Sequence, residues 1–327
     1  MFGVPRSGTK GLARALNLHP NVLCARERFD HRFDHSQVTF PDSFLDEPRI
    51  MNRLQRRKFR ELQTTASGKR DILFVGNKYP RYYLTLERIN EQVPDLRNLL
   101  IYRSPYGFMP SWNRKEREHK RASWLAGEVG LFGFLELLVC LQKVSRRKDV
   151  FVFPYDLGLN ESVEPTLAAL DFIGADPTSF DLATFAAKHM PRKAADVRRL
   201  PLQHNELELL EALEVRQLDE VLCRSGGVMT SELASELDDY MGSIRSSLPA
   251  VIDAAFAEAG NPAVVYYGAK FIDGNRRELA DLLEMTAGSE FMAALQRFGP
   301  WRKLKYAYLQ RSYLSSRLGS LTRRRTS

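Results

Sequence analysis

A short apolar stub, Met1-Phe2, runs into Gly3-Val4-Pro5-Arg6-Ser7-Gly8-Thr9-Lys10, and Leu12, Ala15, Leu16 and Leu18 then follow at helical spacing. That order predicts a strand, a turn-rich loop and a helix. Small residues in such a loop let successive backbone N–H groups converge on an anion, and the positive end of the helix adds to the attraction. Arg6 and Lys10 bring fixed positive charge. A loop of this kind belongs at the carboxyl end of a strand in an α/β sheet, and the rest of the chain has to supply that sheet.

Spacing narrows the choice of anion. A nucleoside-triphosphate loop needs glycine, four residues, then Gly-Lys-Ser/Thr, so that the lysine reaches the terminal phosphates and the hydroxyl holds magnesium. Gly3 and Gly8 keep the interval, but Thr9 stands where the lysine should be and Lys10 where the hydroxyl should be. An ammonium in the magnesium seat suits a transferred group of low charge that travels without a metal. Sulfuryl fits that description better than phosphoryl.

Further strands follow in order. Asn21–Ala25 reads as a short strand ending in a charged segment, and 36–70 as a surface excursion, helical in part, over the acceptor side. Ile72–Val75 is an apolar run that leaves Lys78, ahead of Pro80, at a strand's carboxyl end. Leu99–Tyr102 delivers Arg103 and, eight residues on, Ser111. Val150–Phe153 leads into Tyr155-Asp156-Leu157, and Val163–Ile173 is a helix closing at Gly174. A long helix is expected over 122–147 and helical segments near 205–223 and 230–259, with a short strand at Val264–Tyr267. Because ligands gather at the carboxyl ends of strands in open α/β sheets, Arg6, Lys78 and Arg103 are expected to converge on one crevice.

Gly-Val-Pro-Arg-Ser-Gly-Thr, the leucine-bearing helix, His19-Pro20 and then Glu27 resemble the 5′-phosphosulfate loop of sulfotransferases that use 3′-phosphoadenosine 5′-phosphosulfate (PAPS), above all the tyrosylprotein and glycan branches. The Arg103/Ser111 pair and the strand, acidic turn and Phe-Ile-Gly helix end near 150–174 resemble later stations of the same family. The likeness covers about residues 1–180. It implies a PAPS-binding α/β core over 1–180, with a parallel sheet flanked by helices and a P-loop-like phosphosulfate loop. A mostly helical part with a basic tail would follow over 181–327.

The resemblance implies roles. Arg6, Ser7, Gly8, Thr9 and Lys10 would hold the 5′-phosphosulfate, and Arg103 and Ser111 the 3′-phosphate. Lys78 and Arg6 would offset charge on the bridging oxygen as the S–O bond breaks. Glu27 would be the general base. Phenol-type relatives carry a histidine two residues after the lysine, where this chain has Pro80, so that base is missing here; Asp30, His31 and His35 are rivals to Glu27. PAPS is the expected co-substrate, and no metal is expected. The acceptor, a hydroxyl or amine on a glycan, lipid, small metabolite or tyrosine, has no motif.

Composition matters mainly through where the charge lies. The formal net charge is +8, yet nine basic residues and no acid follow Phe291, so the first 290 residues sum to minus one. Nucleic-acid binding by the body is therefore not expected. The tail either meets an anionic membrane or acidic polysaccharide, or is a helix packed by its aromatics. No apolar run approaches the roughly 20 residues of a membrane helix. Arg6 and Lys10 break any signal-peptide pattern, which predicts a cytoplasmic protein, peripheral to the membrane if the tail binds one. Cys24, Cys140 and Cys223 lack metal-ligand spacing and are expected to be buried. The stub is shorter than a central strand, and the natural product is expected to carry several more apolar residues upstream of Met1. Two other functions stay open: a P-loop-type nucleotide kinase, and a non-catalytic nucleotide- or glycan-binding module.

Overall fold

The computed structural model describes residues 1–248 apart from 31–32, 40, 48–52, 70, 112–128, 146, 190–201, 203 and 225. It is an α/β protein with a small, mostly parallel sheet and many helices. Strands β1 (Val22–Arg26) and β2 (Phe74–Lys78) pair in parallel, as do β3 (Asn98–Tyr102) and β4 (Val150–Pro154). A two-residue β5 (Gly227–Val228), which the sequence did not suggest, runs antiparallel to β4.

The N-terminal stub lies between the two ladders. Phe2 forms a parallel bridge with Leu100: its N–H donates to the Leu99 carbonyl at 2.9 Å, and its carbonyl accepts from the Ile101 N–H at 2.9 Å. On its other side the Met1 carbonyl accepts from the Tyr79 N–H at 3.1 Å, and Gly3 donates to the Pro80 carbonyl at 3.2 Å. The spatial order is thus β1, β2, stub, β3, β4, β5. The fully buried Phe2 side chain anchors this short crossing, and burying a side chain of that size stabilises by about 1.5–3 kcal/mol.

The longer helices are α1 (Thr9–Leu16), α2 (Arg53–Ser67), α3 (Leu86–Gln92), α4 (Val129–Val144), α5 (Glu164–Phe172), α6 (Leu182–His189), α7 (His204–Ala212), α8 (Val215–Arg224) and α9 (Ser231–Ile244). Alternation along β3 and β4 explains where they pack, since successive strand side chains point to opposite faces. Leu99, Ile101, Phe151 and Phe153 enter one core with Leu12 and Leu16 of α1 and Ala169 and Leu170 of α5. Leu100, Tyr102, Val150 and Val152 enter the other, with Phe134 and Leu138 of α4, Leu218 and Leu222 of α8 and Leu237 of α9. Burial on both faces is why these strands read as continuous apolar runs. Leu23 and Ala25 of β1 build a third, smaller cluster with Phe29, Phe44 and Leu62 of α2.

Several expectations need correction. The second strand is Phe74–Lys78 rather than Ile72–Val75, and Leu73 is 63% exposed. Register decides this: Val22 pairs with Phe74 and Arg26 with Lys78, which draws polar Asn77 and Lys78 into the ladder. The helical stretch 205–223 is broken into α7 and α8, with Glu214 between them at φ 46°. Cys24 and Cys140 are buried, but Cys223 is exposed because the buried stripe of α8 is Val215, Leu218, Val221 and Leu222. The helix expected over 122–147 is described from Val129, and α9 ends at Ile244. The strand expected at 264–267 and the basic tail lie outside the described residues. Among those described, no helix is long and apolar enough to cross a membrane.

Candidate functional site

The loop between the stub and α1 has an unusual backbone. Arg6 lies at φ 80° and Gly8 at φ 94°, ψ 11°, both left-handed. Only glycine fits at position 8, because a Cβ there would stand 1.9 Å from the Tyr155 ring. The Ser7 N–H donates to the Val4 carbonyl at 3.0 Å and closes the turn. Ser7 itself is fully buried, and its hydroxyl has no hydrogen-bond partner among the described residues. Thr9 is buried at the start of α1, whose first turn holds no acid. Lys10 is exposed; partial burial of its stem, then Arg14, Arg26, Arg57 and Lys78, hold its ammonium below the ordinary 10.5.

Two residues distant in sequence meet this loop. The Arg6 guanidinium donates to the Ser111 hydroxyl through Nε at 3.0 Å and a terminal nitrogen at 2.6 Å. Arg103, just past the end of β3, donates to the Arg6 carbonyl at 3.3 Å. Its guanidinium carbon lies 4.8 Å from the centre of the Tyr155 ring, and its Nε is 3.8 Å from an Asp156 carboxylate oxygen. Arg6, Arg103 and Ser111 thus form one cationic corner. Tyr155, whose ring packs on Gly8 and under Arg103, is its floor.

A second group sits at the carboxyl ends of β1 and β2. Glu27 follows β1 with φ 58°, and its N–H donates to the Lys78 carbonyl at 2.7 Å. Its carboxylate accepts from the Lys78 ammonium at 2.6 Å and, with its other oxygen, from Lys58 of α2. Burial alone would raise the pKa of Glu27, but Lys78 and Lys58 outweigh it and the net shift is downward from 4.5. Lys78 is only 5% exposed, and burial lowers its pKa despite the support of Glu27. Asn77 pins the turn that carries Glu27: its side-chain oxygen accepts from the Arg28 N–H at 3.0 Å, and its amide donates to the Phe29 carbonyl at 2.8 Å.

The fold therefore gathers the residues singled out in the sequence into two clusters, the loop with Arg103 and Ser111, and Glu27 with Lys78. They are joined through the backbone bonds of Tyr79 and Pro80 to Met1 and Gly3. Of the rival bases, Asp30 is exposed and His31 lies outside the described residues. His35 is buried among Phe29, Phe33 and Tyr82, where burial lowers its pKa. Lys58, Asn77 and Tyr155 were not picked out from the sequence. For Lys58 a signal existed: Phe59, Leu62 and Ala66 mark the inward face of α2, and Lys58 stands at its edge.

No protein-family model matches the chain. Over 130 residues the chain is 27% identical to nodulation protein NoeE of Sinorhizobium fredii (strain NBRC 101917 / NGR234). That similarity covers 34% of this chain and 30% of the relative's length.

Proposed function

We propose that the protein transfers a sulfuryl group from PAPS to an acceptor hydroxyl or amine. The observation that carries this reading is the convergence of Arg6, Arg103 and Ser111 where the loop enters α1. The donor set fits such a ligand. Guanidinium, ammonium and hydroxyl groups surround the loop, no acid occupies the first turn of α1, and the orphaned Ser7 hydroxyl would gain a partner from a bound anion.

In this reading Arg6, Ser7, Gly8, Thr9 and Lys10 hold the 5′-phosphosulfate, and Arg103 and Ser111 hold the 3′-phosphate. PAPS, when bound, supplies the activated sulfuryl group. Lys78 brings a buried ammonium to the end of β2, where, with Arg6, it offsets negative charge that builds as the bond breaks; positioned charge of this kind is usually the largest catalytic contribution. Glu27 takes the acceptor's proton. Its lowered pKa keeps it ionised at neutral pH, as a base must be. The test is calorimetric titration with 3′-phosphoadenosine 5′-phosphate (PAP), AMP and ATP, followed by an acceptor screen with radiolabelled PAPS and extracts of the source cell. Equal affinity for PAP and AMP would remove the basis for the assignment.

A further inference from the structure

Glu27 is held by two lysines from different elements, Lys78 at the end of β2 and Lys58 on α2. The two contacts use different carboxylate oxygens. Lys78 belongs to the strand ends that face the loop, whereas Lys58 approaches from a helix packed on β1 through Leu62. Beside this clamp, Arg26 pairs with Glu61 of α2, which also meets Arg57 along the helix, so two charged side chains of one helix, Lys58 and Glu61, engage the end of β1.

An anion entering the loop draws on the buried ammonium of Lys78 and so competes with Glu27 for it. Without a second tether the Glu27 carboxylate, on a residue with left-handed backbone, would be free to follow Lys78 or swing out. We infer that Lys58 is the positioning residue that keeps Glu27 directed at the acceptor when Lys78 turns to a bound anion. This rests on the sulfuryl-transfer reading, and it extends the site to a helix outside the phosphate loop. The groups that face Glu27 are Lys58 from α2 and Lys78 from β2, with Arg26 preceding it in β1 and Lys10 of α1 near Lys78.

The test compares wild type, Lys58→Met and Lys58→Arg in the full chain. Turnover of radiolabelled PAPS against pH is one readout. The other is the ionisation of Glu27 in the ligand-free protein, followed by difference infrared spectroscopy with Glu27→Gln to identify the band. Lys58→Met is expected to lower kcat by roughly tenfold, less than the loss expected on removing the base itself, while KM for PAPS stays within about twofold. The acid limb of the kcat/KM profile should move to higher pH, because a cation that favours the ionised carboxylate has been removed. Lys58→Arg should restore most of the rate. A rise in KM for PAPS with kcat unchanged would make Lys58 a cofactor ligand and overturn the inference, as would a Glu27 band that titrates identically in wild type and Lys58→Met. Should Lys58→Met not fold, Lys58→Gln carries the same expectations. If wild type turns over no PAPS, the sulfuryl-transfer reading fails separately, and the infrared titration still decides whether Lys58 governs Glu27.

Discussion

The Arg6 guanidinium grips the Ser111 hydroxyl with two nitrogens, at 3.0 and 2.6 Å, across a sequence separation of 105 residues. This contact ties the loop before α1 to the segment after β3, and Arg103 completes it by donating to the Arg6 carbonyl. An arginine that already holds a hydroxyl in place is pre-organised for an anion, because less side-chain freedom is lost on binding.

Replacing Arg103 by Ala should weaken PAP binding by about 1.5–3 kcal/mol, the worth of hydrogen bonds to a charged group, and leave AMP binding nearly unchanged. Ser111→Ala should act in the same direction and more weakly, and it also removes one partner of the Arg6 guanidinium. Calorimetry on the three proteins checks both. A loss shared equally by PAP and AMP would show that these residues do not read the 3′-phosphate.

Glu27→Gln should lower turnover by roughly 100-fold or more, the usual worth of a general base. PAP affinity should not fall, because the substitution removes the carboxylate that competes for Lys78 and Lys58. Steady-state rates alongside PAP titration test the pair of expectations. Near-normal rates in Glu27→Gln, with loss in an equivalent change at Asp30, His31 or His35, would move the base elsewhere.

The same carboxylate gives a pH-dependent contribution to stability. Its folded pKa lies below the ordinary 4.5, through Lys78 and Lys58 and against the opposing effect of burial. The unfolded chain therefore takes up this proton first as the pH falls. The stabilisation is complete above about 4.5, declines as the pH drops through the folded value, and is absent below it. Melting temperatures of wild type and Glu27→Gln should differ at neutral pH and converge in acid. A gap that does not change with pH would mean that the lysine clamp is not what holds Glu27.

Gly8→Ala should destabilise the protein by about 1–3 kcal/mol, the usual cost of overpacking, because the new Cβ would meet the Tyr155 ring on a residue at φ 94°. Tyr155→Leu in the same chain should recover part of the loss by removing the ring, while the cost of the left-handed backbone stays. Thermal melting of the single and double variants checks this. If the double variant is no better than Gly8→Ala alone, ring contact is not what limits position 8.

Much of the architecture is legible along the chain, for physical reasons that act locally. The turn of Gly3 to Gly8 shows because glycine and proline restrict or free the backbone at their own positions. β3 and β4 show because burial on both faces demands unbroken apolar runs. The onset of α1 shows from the spacing of Leu12 and Leu16. The limits of β2 and the exposure of Cys223 do not show, since each depends on a partner's register or on which face of a helix its neighbours cover, and the break at Glu214 has no local signal of its own. At the site, Arg6, Glu27, Lys78, Arg103 and Ser111 stand out in the sequence by type and position. That Arg6 meets Ser111, that Glu27 is shared by two lysines, and that Tyr155 underlies both Gly8 and Arg103 was decided only by tertiary packing. A side chain's chemistry is a local property, but its pKa and its partner are set by whatever the fold brings within a few ångströms, and for these residues that comes from elements dozens of positions away.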